Sequence, residues 1–316
     1  PWLACRWRPG LAARHCGVGP MLRSGAHLTG SNLLNHSVRN LDNVLIGAVW
    51  GAVPLGLYTR AYQLLLAPRQ QFNRPLTASA VPALSRLQTD PDRYRTFYLN
   101  GVTALAAVSM PVVGFLFVTV HDLIPVVLGP QWTGAVPLFR ALAPAALFGS
   151  FNVVTVWLFL PLGLTSQKLR ANFYGTILIL AGLGVGVMWG AIGVALALSL
   201  TTVIKRLATV QYACRHAGFI SMRDVGRALV GPTLAMIAVN GMVAAAQWLL
   251  ADLAAAHRFA LDVALFLVLY ALVLVASRSG RRMIRIVLEA LRNRDVGPDG
   301  IPRRRAVPDA LRAVYL

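Results

Sequence analysis

RNLDNVLIGAVWGAVPLGLYTRAYQLLLAPRQQFNRPLTASAVPALSRLQ, from Arg39 to Gln88, is the stretch whose reading decides the fold. From about Pro54 to Arg86 it is long enough to cross a bilayer and apolar over most of its surface, yet Arg60, Arg69 and Arg74 fall within the crossing. Ionisable groups at that depth are costly and persist where they face protein or a water-filled cavity, so they mark a pathway or a binding site.

At roughly 100° per residue, Arg60, Gln63, Gln70, Gln71 and Arg74 share one sector of the helix, and Thr77 and Ser85 prolong the stripe. Arg69 lies roughly opposite Arg60 on an ideal helix, but it follows Pro68, which removes a backbone donor and can bend the axis. The preceding segment repeats the pattern, with Asn32, Asn35, His36, Arg39, Asp42 and Asn43 at helical spacing. Two neighbouring helices therefore present polar stripes. Arg39 and Asp42 are three residues apart and suit an ion pair; a role for Asp42 in coupling proton movement stands beside that reading. Arg60 and Arg74 have no carboxylate within a helical turn, which points to a cavity wall.

Composition extends this reading to the whole chain. Its 316 residues are 57% hydrophobic and 13% charged, with a mean hydropathy of +0.62. That is too apolar for an ordinary soluble domain and indicates an all-α, polytopic membrane helix bundle. Spans of about 20 mostly apolar residues are expected at 22–47, 54–86, 96–120, 136–160, 169–189, 191–214, 228–250 and 259–277, eight transmembrane helices in all.

The connections supply an independent signal, because cytoplasmic loops are enriched in Lys and Arg. Arg6, Arg8, Arg14 and Arg23 precede the first span; Arg86, Arg93 and Arg95 follow the second; Lys168 and Arg170 follow the fourth. Lys205, Arg206, Arg215, Arg223 and Arg227 mark the sixth connection, and the tail after Ser277 is Arg-rich. The first, third and fifth connections carry no Lys or Arg, and the seventh carries Arg258 alone. Both termini are therefore expected in the cytoplasm. The formal net charge of +19 reads as a topology signal aided by anionic lipid rather than as nucleic-acid binding.

Residues 1–20 have no periodicity and stay unassigned; the chain opens on proline and reads as a fragment. The sequence FISMRDVGRAL, before the seventh span, suggests a short interfacial helix with Ser221 as N-cap three residues before Asp224. RRMIRIVLEALRNR, within the basic tail at 278–316, has the pattern of an amphipathic surface helix. Glycines 182, 184 and 186 read as close helix packing. For Pro68, Pro75 and Pro82, spaced by sevens, packing and a built-in curve both stand.

No Walker-type loop, HExxH, CxxC or GxSxG occurs, so neither ATP hydrolysis nor a standard hydrolase mechanism has a foundation. Cys5, Cys16 and Cys214 lack metal-ligand spacing. No cofactor, metal or catalytic residue is expected, and the outer connections are too short for an enzymatic domain.

SNLLNHSVRNLDNVLIG and LGLYTRAYQLLLAPRQQFNRPLTASAVPALSRLQTDPDRYR resemble the Wzx-type polysaccharide-export flippases of the multidrug/oligosaccharidyl-lipid/polysaccharide (MOP) exporter superfamily. The match is specific over 21–95 and rests mainly on helix spacing to about 227. The resemblance implies two pseudo-symmetric six-helix lobes around a central cavity, often with two further helices. This chain would supply the C-terminal lobe (21–227), two additional helices (228–277) and the tail, with the N-terminal lobe missing. It also implies transfer of an undecaprenyl-pyrophosphate-linked oligosaccharide across the bacterial inner membrane by alternating access, in concert with polysaccharide-assembly proteins. Arg60, Arg74 and Arg39 match a cationic cavity for the pyrophosphate, with Gln63, Gln70 and Arg69 beside them. The competing readings are a lobe of an organic-cation extruder and a non-transporting scaffold of a polysaccharide-synthesis complex.

Overall fold

The computed structural model describes residues 19–38, 40–149, 151–250 and 253–276, without the side chains of residues 20, 35–38, 67–76, 78 and 79. Among the described residues there are helices and connections but no strands. The helices are α1 Gly19–Val38, α2 Leu41–Trp50, α3 Ala52–Arg86, α4 Pro91–Val118, α5 Val120–Val127, α6 Val136–Gly149, α7 Phe151–Phe159, α8 Thr165–Gly186, α9 Gly190–Ala217, α10 Met222–Leu249 and α11 Ala255–Ala276. Short 3₁₀ turns cover Pro130–Ala135 and Val187–Trp189. Cys5, Cys16, Arg39 and the amphipathic tail segment lie outside the described residues.

Among the described residues five segments are long and apolar enough to cross a membrane: Pro91–Val118, Pro130–Phe159, Thr165–Ala217, Met222–Leu249 and Ala255–Ala276. The third is two helices. At Gly190 the backbone takes φ +74°, a left-handed conformation that favours glycine, and α9 folds back on α8. Contacts walk outward from that turn, Gly186 against Gly193 and Ala197, Gly182 against Thr201, Gly175 against Lys205, so the two helices are antiparallel. Counted as two passes, this hairpin brings the apolar passes among the described residues to six; α1, α2 and α3 fall outside that set. A multi-pass membrane bundle is the architecture.

Several boundaries differ from those expected. The first span is broken, with α2 starting anew after Asn40 and Asp42 favourably placed in its first turn. The fourth pass is preceded by α5 and a 3₁₀ turn where a bare loop was expected. α4 begins at Pro91, with the Asp90 side chain accepting from the Arg93 N–H; Pro suits the first helical position, whose N–H lacks an intrahelical partner. Ser221 is indeed the N-cap of a capping box with Asp224, yet the helix it starts is α10 itself. No separate interfacial helix forms, because nothing between Arg227 and Gly231 interrupts the ladder and Pro232 is absorbed within it. α3 likewise runs unbroken through Pro68, Pro75 and Pro82. Lys168 and Arg170 belong to the first turns of α8, Lys205 and Arg206 to the body of α9, and Arg258 to the first turn of α11, rather than to connections.

Packing is divided along the bundle. Towards one end Ile46, Tyr58, Leu65, Ile124, Phe139 and Leu183 form a buried cluster, and towards the other Leu84, Tyr94, Tyr98, Trp157, Val210 and Ile220 form a second. α10 lies along α4, and α11 joins it through Phe115, Val239, Val243 and Phe266. Side-chain bonds between distant connections sort the helix ends into two groups. Trp50 donates its indole N–H to the Val187 carbonyl at 2.9 Å, and Arg258 pairs with Asp122. At the other end Gln88 donates to the Pro161 carbonyl, and Arg95 pairs with Asp224 at 2.7 Å. These groups coincide with the Arg-poor and Arg-rich connections of the sequence.

Two outcomes check this architecture. In a background with Cys5, Cys16 and Cys214 replaced by Ser, cysteines placed at Ala52, Gln131 and Ala254 share one accessibility to an impermeant thiol reagent, and cysteines at Thr89 and Ser166 show the opposite one. A mixed pattern within either group breaks the eight-pass arrangement. In the hairpin, a Cβ at Gly186 would lie 2.7 Å from the Ala197 Cβ and from the Gly193 carbonyl oxygen, whereas one at Gly184 meets nothing within 4 Å. Gly186→Leu therefore lowers the melting midpoint in detergent by the cost of overpacking, about 1–3 kcal/mol, and Gly184→Leu leaves it unchanged.

Candidate functional site

The α3 helix carries its two roles on two faces. Tyr58, Ala61 and Leu65 are buried at helical spacing against the core, while Arg60 and Gln63 stand exposed on the other side. Arg60 Nη1 reaches Gln63 Oε1 at 3.5 Å, the outer limit of a hydrogen bond, and its guanidinium carbon lies 5.5 Å from the centre of the Trp132 ring. Trp132 sits in the 3₁₀ turn between α5 and α6. Among the described residues no carboxylate pairs with Arg60. The ring offers a cation–π attraction, which leaves the positive charge uncancelled.

Asp42 departs from the polar face expected for it. Its side chain is 3% exposed and accepts a 2.6 Å hydrogen bond from the Tyr58 hydroxyl and a 2.8 Å bond from the Asn43 backbone N–H. A carboxylate enclosed between α2 and α3 joins those helices rather than lining a surface. The Arg39–Asp42 pair falls outside the described residues, as do the side chains of Arg69, Gln70 and Arg74. Of the residues assigned to a cationic cavity, the structure describes Arg60 and Gln63 and brings them together. Elsewhere on the stripe of α1, Asn32 is exposed, and Ser31, one position earlier, is buried and accepts from Asn172 of α8.

A second ionic group joins α5, α10 and α11. Arg258 Nε donates to Asp122 Oδ2 at 2.7 Å, with a further bond from the same guanidinium to Oδ1. One turn along α11, Asp262 is fully buried and accepts from Gln247 Nε2 at 2.7 Å. Nothing in the sequence signals that Arg258 and Gln247 answer Asp122 and Asp262; only the docking of α11 beside α5 and α10 does so. Tyr58, Trp132 and the burial of Lys205 escaped sequence reading for the same reason. Their partners lie on other helices, at separations no periodicity reports.

The Tyr58–Asp42 bond yields a stability test. Tyr58→Phe leaves a buried carboxylate without its side-chain donor and lowers stability by about 1–3 kcal/mol, read as a drop in melting midpoint in detergent. Adding Asp42→Leu recovers most of that loss, because removing both partners of a buried bond costs less than orphaning one.

Residues 1–137 match the family described as Polysaccharide biosynthesis protein, a match that also runs across the segment 1–20. The chain is 27% identical over 202 residues to the lipopolysaccharide biosynthesis protein WzxC of Escherichia coli (strain K12), covering 64% of this chain and 41% of that protein. It is 32% identical over 138 residues to the teichuronic acid biosynthesis protein TuaB of Bacillus subtilis (strain 168), covering 44% of this chain and 29% of that one. The chain thus spans less than half the length of these relatives. Among solved structures, the lipid II flippase MurJ in an inward closed conformation shares the fold, with a TM-score of 0.56 at 14% identity over 75% of this chain and 50% of that structure.

Proposed function

We propose, taking as premise that this chain is a relative of the Wzx-type polysaccharide biosynthesis proteins, that it forms one lobe of a flippase. Its cargo is a lipid-linked oligosaccharide carrying a pyrophosphate, moved across the bacterial inner membrane. The observation that carries the reading is Arg60, exposed on α3 with no carboxylate partner among the described residues. Held against hydrocarbon such a charge is costly, so the face belongs to water or to a second protein body. A guanidinium offers two parallel N–H groups to phosphate oxygens. The same charge repels an organic cation, which disfavours the extruder reading. Among the described residues Arg60 and Gln63 join no other helix to α3 through a hydrogen bond or ion pair, which disfavours a purely scaffolding role for the stripe.

A cavity needs two walls. In this reading residues 21–227 form one six-helix wall, 228–277 the two additional helices, and a separate N-terminal lobe the facing wall, with transport by rocking of one lobe against the other. Arg39, Arg69, Gln70 and Arg74 extend the cationic face from Arg60. The Arg-rich connections lie in the cytoplasm, and no covalent chemistry is required of the chain. Asp42, enclosed by Tyr58, is assigned to holding α2 on α3 rather than to ion coupling.

Complementation of a flippase-null strain tests the proposal. Coexpressed with a matching N-terminal lobe, the chain restores surface polysaccharide, and Arg60→Ala abolishes it while membrane abundance stays near that of the parent. Arg60→Lys rescues in part, since lysine keeps the charge and loses the planar fork. Undiminished polysaccharide in Arg60→Ala at equal abundance overturns the role given to this face.

A further inference from the structure

The α8–α9 hairpin holds a second uncancelled charge, remote in sequence from Arg60 and on different helices. Lys205 is only 5% exposed, yet among the described residues its ammonium group makes no hydrogen bond or ion pair. Its stem is pressed against α8 where Gly175 leaves room: a Cβ at that glycine would lie 2.5–2.7 Å from the Lys205 Cε, Cδ and Cγ. The glycine and the lysine stem thus fit as a pair, and the ammonium is set into the cleft between the helices. That cleft has a volume of about 240 Å³ and is lined by Arg170, Tyr174, Leu178, Lys205, Thr209 and Tyr212 among others, with no carboxylate in its lining. The Thr209 hydroxyl is committed to the Lys205 carbonyl at 2.7 Å and does not serve the ammonium.

The surroundings identify the medium. Tyr174 is 70% exposed, and Phe173, Ile177, Leu200, Ile204 and Leu207 are also exposed around the cleft. In a multi-pass membrane bundle such an apolar belt faces acyl chains. Lys205 lies twelve residues before the end of α9, Ala217, or about 18 Å along the axis. The 28 residues of α9 span about 42 Å against a hydrocarbon core of about 30 Å. The lysine root is then roughly 12 Å below the boundary, Arg170 nearer to it, and the pair makes a ladder of positive charge from the headgroup layer inwards. A buried cation is stable when paired, and in this place an anion can arrive only along the lipid surface. Tyr174 and Tyr212 add amphipathic rings of the kind that settle at headgroup level.

We infer that the cleft between α8 and α9 is a binding site for an anionic phospholipid of the leaflet next to the α7–α8 and α9–α10 connections, with its headgroup phosphate held by Lys205 and Arg170 and its acyl chains along Tyr174 and Leu178. The inference requires only that the chain spans a membrane, and it does not depend on what is transported.

The test uses the full chain purified in a neutral detergent, titrated with short-chain phosphatidylglycerol, with phosphatidylcholine of the same chain length, and with inorganic phosphate, following the melting midpoint. Phosphatidylglycerol raises the midpoint in a saturable manner, and the other two do not at matched concentration. Lys205→Met, which keeps the apolar stem against Gly175, and Arg170→Gln each weaken the apparent affinity by about five-fold or more, the worth of one basic residue at a membrane surface. Arg86→Gln, at the end of α3 and outside the cleft, leaves it unchanged. Equal shifts with phosphatidylcholine overturn the charge-based site, and equal shifts with inorganic phosphate overturn the lipid as occupant. An unchanged affinity in both cleft variants overturns the location. If Lys205→Met fails to yield folded protein, Arg170→Gln alone decides, because Arg170 is exposed and its loss leaves the packing intact.

Discussion

Leaving a charged or hydrogen-bonding group against hydrocarbon costs more than almost any packing defect in a membrane bundle, and the surface of this protein is divided by that cost. α8 to α11 expose residues such as Ile177, Leu200, Leu234, Ile237, Leu267 and Leu272, an apolar coat suited to lipid. α1 and α3 expose Asn32, Arg60 and Gln63 among their apolar residues. The exposed polar groups of the described helices thus include a set on α1 and α3, beside apolar residues such as Leu33.

The same cost separates acids from bases inside the bundle. Each of the buried acids in the described spans is bonded within the chain: Asp42 to Tyr58, Asp122 to Arg258, Asp262 to Gln247. Arg258 is taken up by Asp122, so the single basic residue of the seventh connection serves helix docking. Among the described residues Arg60 and Lys205 have no such carboxylate. Negative charge is consumed in holding helices together, and the positive charge left over remains available to anions from outside the chain. That imbalance is what the two proposals share: phosphate chemistry as the partner of both sites, although they lie on different helices and face different surroundings.

Much of the architecture was legible because the forces that set it act locally along the chain. Apolar run length gave the passes, and loop charge gave the two groups of ends that Trp50–Val187, Arg258–Asp122 and Arg95–Asp224 later joined. Glycines 182 and 186 were readable as close packing, and Ser221 with Asp224 as a helix start. Boundaries were less accessible. Hydropathy follows the membrane and not the helix, so it missed the polar first turns of α4 and α8, while the count of basic residues assigned Lys205 to the sixth connection although it lies within the expected span 191–214 and α9 continues for three more turns beyond it. Least legible were the pairings across helices. Asp42 looked like a member of the polar stripe, and only the position of Tyr58, sixteen residues on, shows that α2 turns this carboxylate inwards.

In the role proposed for it, Arg60 illustrates why a site for an anion differs from a structural ion pair. A carboxylate beside it would hold the guanidinium in place but cancel its charge, and any incoming phosphate would have to displace that partner. The face of Trp132 attracts the cation through the ring quadrupole and leaves its net charge intact. Gln63, at the limit of hydrogen-bond distance, is likewise neutral. The arginine is thus positioned by groups that do not cancel its charge. Replacing Trp132 by a smaller apolar residue would loosen the guanidinium without altering its charge, whereas placing a carboxylate there would fix it and neutralise it. Positioning and availability are separable demands, and an aromatic neighbour meets both.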